Sequence, residues 1–188
     1  PGRAGVLAAG VADRASIVGS EADGLPYVDN LVNLLVAPAW GSRPLDIAEV
    51  LRALAPDGAA LIGNDANPAA TAGLEAKLKA AGAKDIKALS RKGWLQFSKP
   101  VNPGFDIWTH NQGGPDQSFV NNDKAAGPWD EIRWVGEPRW GALYSTYHGR
   151  VTAGGRLYYN ENLKAMGGGT MVWLVGRDAW NGFELWRI

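Results

Sequence analysis

The sequence contains no cysteine, which excludes disulfides, thiolate metal sites and a thiol nucleophile without fixing a compartment. Histidine is scarce: His110 and His148 are the two, and neither stands at a diagnostic spacing from a second ligand. Charge of one sign is missing as well. Nineteen basic and nineteen acidic residues cancel, which gives no support for a nucleic-acid or anionic-membrane partner. No apolar run approaches the roughly 20 residues that a membrane-spanning helix needs. HExxH, a Ser-His-Asp set with a nucleophile elbow, and an EF-hand loop are all absent. The chain starts at Pro1 with neither Met nor a signal-peptide pattern, and ends at Trp186-Arg187-Ile188 inside what reads as a strand. The expectation is a piece of a longer protein, with any targeting signal upstream.

What is present is distributed unevenly. Residues 1–89 are rich in Ala and Leu and hold one Trp, Trp40, whereas residues 90–188 hold the other eight Trp and four of the five Tyr. Helix formers give way to aromatic and Gly-rich strand formers, so two architectures are expected.

The first part is organised around Leu25–Ala37. After Pro26 and the Asp29-Asn30 pair, Leu31–Ala37 is almost continuously apolar and is bounded by Pro38. That length predicts a strand covered on both faces, the central strand of a wound layer. Around it the pattern predicts a helix tail over Arg3–Val11, a short strand at Ala15–Gly19 and a helix over Leu45–Leu54. A stop at Ala55-Pro56-Asp57-Gly58 precedes a buried strand at Ala59–Gly63. An amphipathic helix over Ala69–Ala81, with Leu74, Leu78 and Ala81 on one face, ends at Gly82. Strands at Ile86–Ser90 and Trp94–Ser98 are joined by Arg91-Lys92-Gly93. Alternation of this kind reads as α/β with a parallel sheet that finishes in a hairpin.

Leu25-Pro26-Tyr27-x-Asp29-Asn30, the strand after it, and Leu54-Ala55-Pro56-Asp57-Gly58-Ala59 together resemble the later half of a class I S-adenosylmethionine-dependent methyltransferase. Such domains also close with a helix and two antiparallel strands. The resemblance covers roughly residues 3–99 and implies the C-terminal part of a Rossmann-type sheet. It also implies that the Gly-rich loop and the ribose-binding acid would precede residue 1. Of the cofactor contacts, Glu21 best matches the acidic position that remains; its plain reading is a solvated loop carboxylate. The strand start usually carries Asp in that family, and here it is Asn33. Ala37-Pro38-Ala39-Trp40 offers no acid, base or amide for methyl transfer. This half alone is not expected to hold the cofactor.

Lys99–Gly104 reads as a Pro/Gly linker, and residues 105–129 as polar and turn-rich. Within them Asp106-Ile107-Trp108-Thr109-His110 puts a histidine beside an acid, so Asp106 and His110 are the weak candidates for proton transfer or ligation. The plain reading has Trp108 packing while Asp106 and His110 bond loop backbone.

The remainder predicts short strands: Glu131–Gly136, Leu143–Tyr147, two pieces within Arg150–Tyr159 about Gly154-Gly155, Met171–Gly176 and Phe183–Trp186. Glu161–Thr170 reads as a flexible insertion. Asn181-Gly182 is the strongest signal for a type I′ hairpin. Strands at this spacing suggest a propeller or sandwich. Val151-x-Ala153-Gly154-Gly155-Arg156-Leu157-Tyr158, followed by Leu174-Val175-x-Arg177-Asp178-Ala179-x-Asn181-Gly182-x-x-Leu185-Trp186, looks like one blade of a pyrroloquinoline-quinone-type (PQQ-like) β-propeller. That resemblance makes Trp186 a docking residue between blades and has Arg177 and Asp178 shape the turn.

The combination resembles large bacterial envelope proteins of the planctomycete type, which fuse a methyltransferase-like domain to a PQQ-like propeller. It implies residues 1–99 as the end of the methyltransferase-like domain, 100–131 as linker and 132–188 as a partial first blade. It also implies a cell-envelope or periplasmic location. The expected partners are the remaining blades and the upstream Rossmann half. The expectation for function is a non-catalytic binding or scaffold segment. The alternatives are an S-adenosylmethionine methyltransferase whose cofactor half lies upstream, and a quinoprotein dehydrogenase whose site lies in later blades. S-adenosylmethionine or PQQ would be bound only by the intact protein.

Overall fold

Val32–Ala37 forms a strand, β1, that runs parallel to β2 (Leu54–Gly63). The computed structural model describes residues 2–19, 24–42, 45–110, 112–125, 127, 132–136, 145–164 and 170–188. Two further strands, β3 (Lys84–Ala88) and β4 (Trp94–Ser98), complete a four-stranded sheet in the order β1-β2-β4-β3. The β4 strand is antiparallel to both of its neighbours.

Leu31–Ala37 was expected to be central; among the described residues it is paired on one side only, and β2 is the strand with a partner on each side. Leu35 faces the core, but Leu34 and Val36 are 57% and 51% exposed, so helices cover one face only. Apolar continuity reported what β1 can tolerate, not which neighbours it has.

Helix α1 (Gly2–Ala8) lies at the start of the chain. The strand expected at Ala15–Gly19 is not formed; these residues are exposed and pair with no strand among the described residues. They follow α1 instead, with Arg3 Nε donating to the Ile17 carbonyl at 3.0 Å.

Helix α2 (Ile47–Ala53) forms because Ile47, Val50 and Ala53 recur every third residue, and all three are buried. It starts two residues later than Leu45. The Ala55–Gly58 stop lies inside β2 as a mostly buried irregularity in the pairing: Val32 pairs Leu54, and the next pair is Leu34 with Ala59. Asp57 sits there at φ 62°. A Cβ on Gly58 would come 2.7 Å from the Ala55 carbonyl oxygen and 2.9 Å from that of Val32, so the loop closes only over glycine.

The helix expected over 69–81 is divided. A 3-10 turn at Pro68–Thr71 is separated from α3 (Leu74–Ala80) by Gly73 in the left-handed region. Leu74 and Leu78 are buried, whereas Ala81 is exposed, contrary to expectation. Gly82 N–H donates to Lys79 and Ala83 N–H to Leu78, the bond pair of a Schellman stop. Both helices pack on the face of Leu35, Ala60, Ile62, Leu95 and Phe97. This is the core of the first sheet.

The second sheet is an antiparallel meander: β5 (Ser145–Ala153), β6 (Arg156–Lys164), β7 (Thr170–Asp178) and β8 (Glu184–Arg187). Gly154 and Gly155, at φ 54° and 70°, turn β5 into β6. The backbone of Trp108 adds to β5, with Thr152 N–H on the Trp108 carbonyl at 2.7 Å.

Three expectations change in this half. Residues 161–164 and 170, read as flexible insertion, are strand backbone. Residues 132–136 form no strand, and Ile132 and Val135 are 80% and 79% exposed. The β7–β8 turn is not type I′. Gly182 alone takes positive φ, while the Asp178 carboxylate accepts the backbone N–H groups of Trp180 and Asn181. The side chain of Asp178 therefore shapes the turn, and Arg177 helps by donating to the Gly182 carbonyl at 2.9 Å. Trp186 lies over Gly176 of its own sheet and 5.9 Å from the Tyr158 ring.

The interior of this sheet is ionic. Glu161, fully buried, accepts from Arg187 at 2.5 Å. Arg187 also binds both oxygens of Glu184, and Arg177 joins Glu184 to the Tyr159 hydroxyl. Among the described residues, no helix is long and apolar enough to cross a membrane.

Candidate functional site

In open sheets with parallel strands, ligands bind beyond the carboxyl ends of those strands. Here the loops after β1 and β2 meet at that end. Trp40 N–H donates to the Gly63 carbonyl at 3.0 Å. The buried Asn64 amide returns a bond to the Trp40 carbonyl at 2.9 Å, and its oxygen accepts from Asn67 N–H at 2.9 Å. One asparagine therefore holds both loops. The loops and helices border an open, shallow cleft of about 250 Å³, lined among others by Trp40, Gly41, Asp46, Ala70, Leu74 and Lys77. Gly41, at φ 82°, leaves room for Ala70. Asp46 precedes α2 and makes no side-chain bond to the helix end, which leaves its carboxylate available to the cleft. One indole, one carboxylate and one ammonium can hold a small polar ligand with a flat face.

The Leu25–Asn30 segment is fastened from below. Glu49 Oε1 accepts the Leu25 N–H at 2.7 Å; Arg52 grips Glu49 with two nitrogens and Asp29 with a third. The Arg52 bonds, then the Leu25 amide, hold the Glu49 carboxyl down at about 2, and the Glu49 and Asp29 bonds raise Arg52 in turn. Lys99 Nζ reaches the Asn30 side chain at 2.6 Å and the carbonyls of Leu54 and Arg52 at 2.9 and 3.3 Å. Burial pushes its pKa below the ordinary lysine value. Tethering this loop to α2 is the work these residues do.

Of the candidates read from sequence, Glu21 lies outside the described residues. The two carboxylate oxygens of Asp106 accept the backbone N–H groups of Ile107 and Asn122, each at 2.8 Å. His110 is exposed; its Nδ1 lies 2.9 Å from the Thr109 hydroxyl and its backbone bridges Gly113. Each is held by its own loop, with no bond between them. The backbone of His148 lies in β5. Among the described residues, no group of three or more Asp, Glu or His is placed to hold a metal. Sequence reasoning passed over Asp46 and Lys77, which carry no motif: Asp46 stands at the start of α2, after β1, and Lys77 within α3, after β2.

The comparisons with known proteins add little identity. No family model and no curated protein matches the chain. One solved structure is similar over 53% of this chain at 20% identity, with a TM-score of 0.39. It is a Methanococcus maripaludis protein described provisionally as an S-adenosyl-L-methionine-dependent methyltransferase. The match covers 61% of that protein's length.

Proposed function

We propose that the first sheet is the later part of an S-adenosylmethionine methyltransferase-type domain, ending near residue 99. Its cleft then forms the acceptor-side wall of a site whose cofactor-binding half lies upstream. The observation that carries this reading is the cleft beyond the carboxyl ends of the parallel β1–β2 pair, followed by a helix and an antiparallel β3–β4 pair. In it Trp40 supplies a flat apolar wall, and Asp46 and Lys77 orient a polar acceptor. S-adenosylmethionine, when bound, supplies the methyl group; the residues of this chain bind and exclude water. Calorimetry tests the reading. The 188-residue chain should give no heat with S-adenosylmethionine, and a chain extended upstream by one α/β half should bind it. An extended, folded chain that binds none refutes the proposal.

A second reading is favoured by the surface of the antiparallel sheet. Val172, Leu174 and Leu185 are 63%, 41% and 45% exposed, apolar side chains that a packing partner would cover. In this reading residues 132–188 belong to the first blade of a PQQ-like propeller, and the chain is a binding or scaffold segment of a cell-envelope protein. A chain extended downstream that stays a single sheet, monomeric and with these residues still solvent-accessible, refutes it. Dye-linked oxidation by such a chain reconstituted with PQQ would replace the scaffold role with a dehydrogenase.

A further inference from the structure

The turn between β7 and β8 reaches the other sheet. Asn33 Nδ2, at the amino end of β1, donates to Asp178 Oδ2 at 2.9 Å, and Asn181 Nδ2 approaches the Leu31 carbonyl at 3.4 Å. Asp178 is 1% exposed. Its other oxygen is taken by the turn backbone, and Oδ2 is shared with Arg156 at 3.3 Å. The turn is packed on its remaining sides. Phe105 lies tilted against the Trp180 ring with centroids 5.1 Å apart, Arg133 lies over that ring at 5.6 Å, and Trp134 Nε1 donates to the Ala179 carbonyl at 3.2 Å.

We infer that Leu31–Asn33 is the receiving surface for the Asp178–Asn181 turn, and that this contact makes the two sheets one cooperative unit. The chemistry is specific. Both oxygens of Asp178 accept, so residue 33 must donate; an amide can, and a carboxylate there would face a carboxylate. A polar residue in a run that is otherwise apolar from Leu31 to Ala37 is explained by this partner. The contact also lies at the amino end of β1, away from Trp40 and the cleft, so docking leaves the cleft open. It holds whether or not that cleft takes part in methyl transfer.

The test uses the whole 188-residue chain. N33D should separate one urea transition into two and speed tryptic cleavage after Lys124, the one tryptic site between Pro100 and Ala125 because Lys99 precedes a proline, by about fivefold or more, the range of an ordinary coupling between sites. N33A, which removes the bond without adding charge, should do the same to a smaller degree and guards against misfolding of N33D. The decisive variant is N33D/D178N. It reverses donor and acceptor, the amide introduced in the turn keeping an oxygen that accepts from the turn backbone, and should be closer to the parent than N33D is. A single transition in both N33D and N33A, or a double variant no better than N33D, overturns the inference.

Discussion

Gly63→Ala is the substitution for which the structure gives the sharpest expectation. Gly63 and Trp94 are directly paired across β2 and β4, and the indole lies over the glycine so closely that a Cβ would fall within the ring. Trp94 is 8% exposed, and its Nε1 donates to Asp65 Oδ1 at 2.8 Å. Insertion of one methyl group into such packing costs about 1–3 kcal/mol. If the ring moves, its bond to the Asp65 carboxylate goes too. Relief of glycine's backbone entropy returns roughly 0.5–1 kcal/mol. The net is up to about 2.5 kcal/mol, a fall in Tm of up to roughly 5–10 °C for a chain of this size. Gly176→Ala meets the same geometry under Trp186, but that indole is 38% exposed and can swing into water, so about 1 kcal/mol is expected. Urea unfolding followed by circular dichroism measures both. In a Trp94→Ala background, Gly63→Ala should cost under roughly 0.5 kcal/mol, because the clash is gone. Equal costs in the two backgrounds refute the reasoning.

Three further perturbations follow from the charged side chains and their bonds. Glu49 has a folded pKa of about 2, below its unfolded value, so its contribution is present above that unfolded value and lost as pH falls through about 2. Glu49→Gln should lower stability by about 1–2 kcal/mol at neutral pH, since Arg52 is one-third exposed, and flatten that part of the acid profile measured by thermal melts. Lys99→Met leaves three oxygen acceptors without their donor and should cost about 1–3 kcal/mol. Because burial lowers the Lys99 pKa, the folded chain releases this proton before the unfolded chain does; the parent gains stability with rising pH across that interval, and the variant lacks that gain. Arg187→Met removes the sole described partner of the fully buried Glu161, whose second oxygen has none among the described residues. It should cost about 3–5 kcal/mol, and Arg187→Met/Glu161→Leu should recover most of it, as chemical denaturation will report.

Periodicity carried most of the fold because burial on one face leaves a trace in each element. Ile47, Val50 and Ala53 mark α2, and Leu74 and Leu78 mark α3. The glycines at 154, 155 and 82 mark turns that need positive φ. What periodicity cannot carry is partnership. Ala15–Gly19 and residues 132–136 have strand composition and remain unpaired among the described residues, since a strand is stabilised by a neighbour that its own residues do not specify. Leu31–Ala37 was legible as a strand, and its pairing was illegible for the same reason.

Site residues divide along the same line. Asp106 and His110 stood out because they are adjacent in sequence, yet each finds its bond within its own loop. Asn33 and Asp178 are 145 positions apart, and no spacing rule joins them. The sign was a mismatch on one side, an amide inside an apolar strand; Asp178 is used locally by the turn backbone, and its second oxygen is what reaches across. A polar residue where local structure needs none is held there by something distant, and in this chain that something is the other sheet.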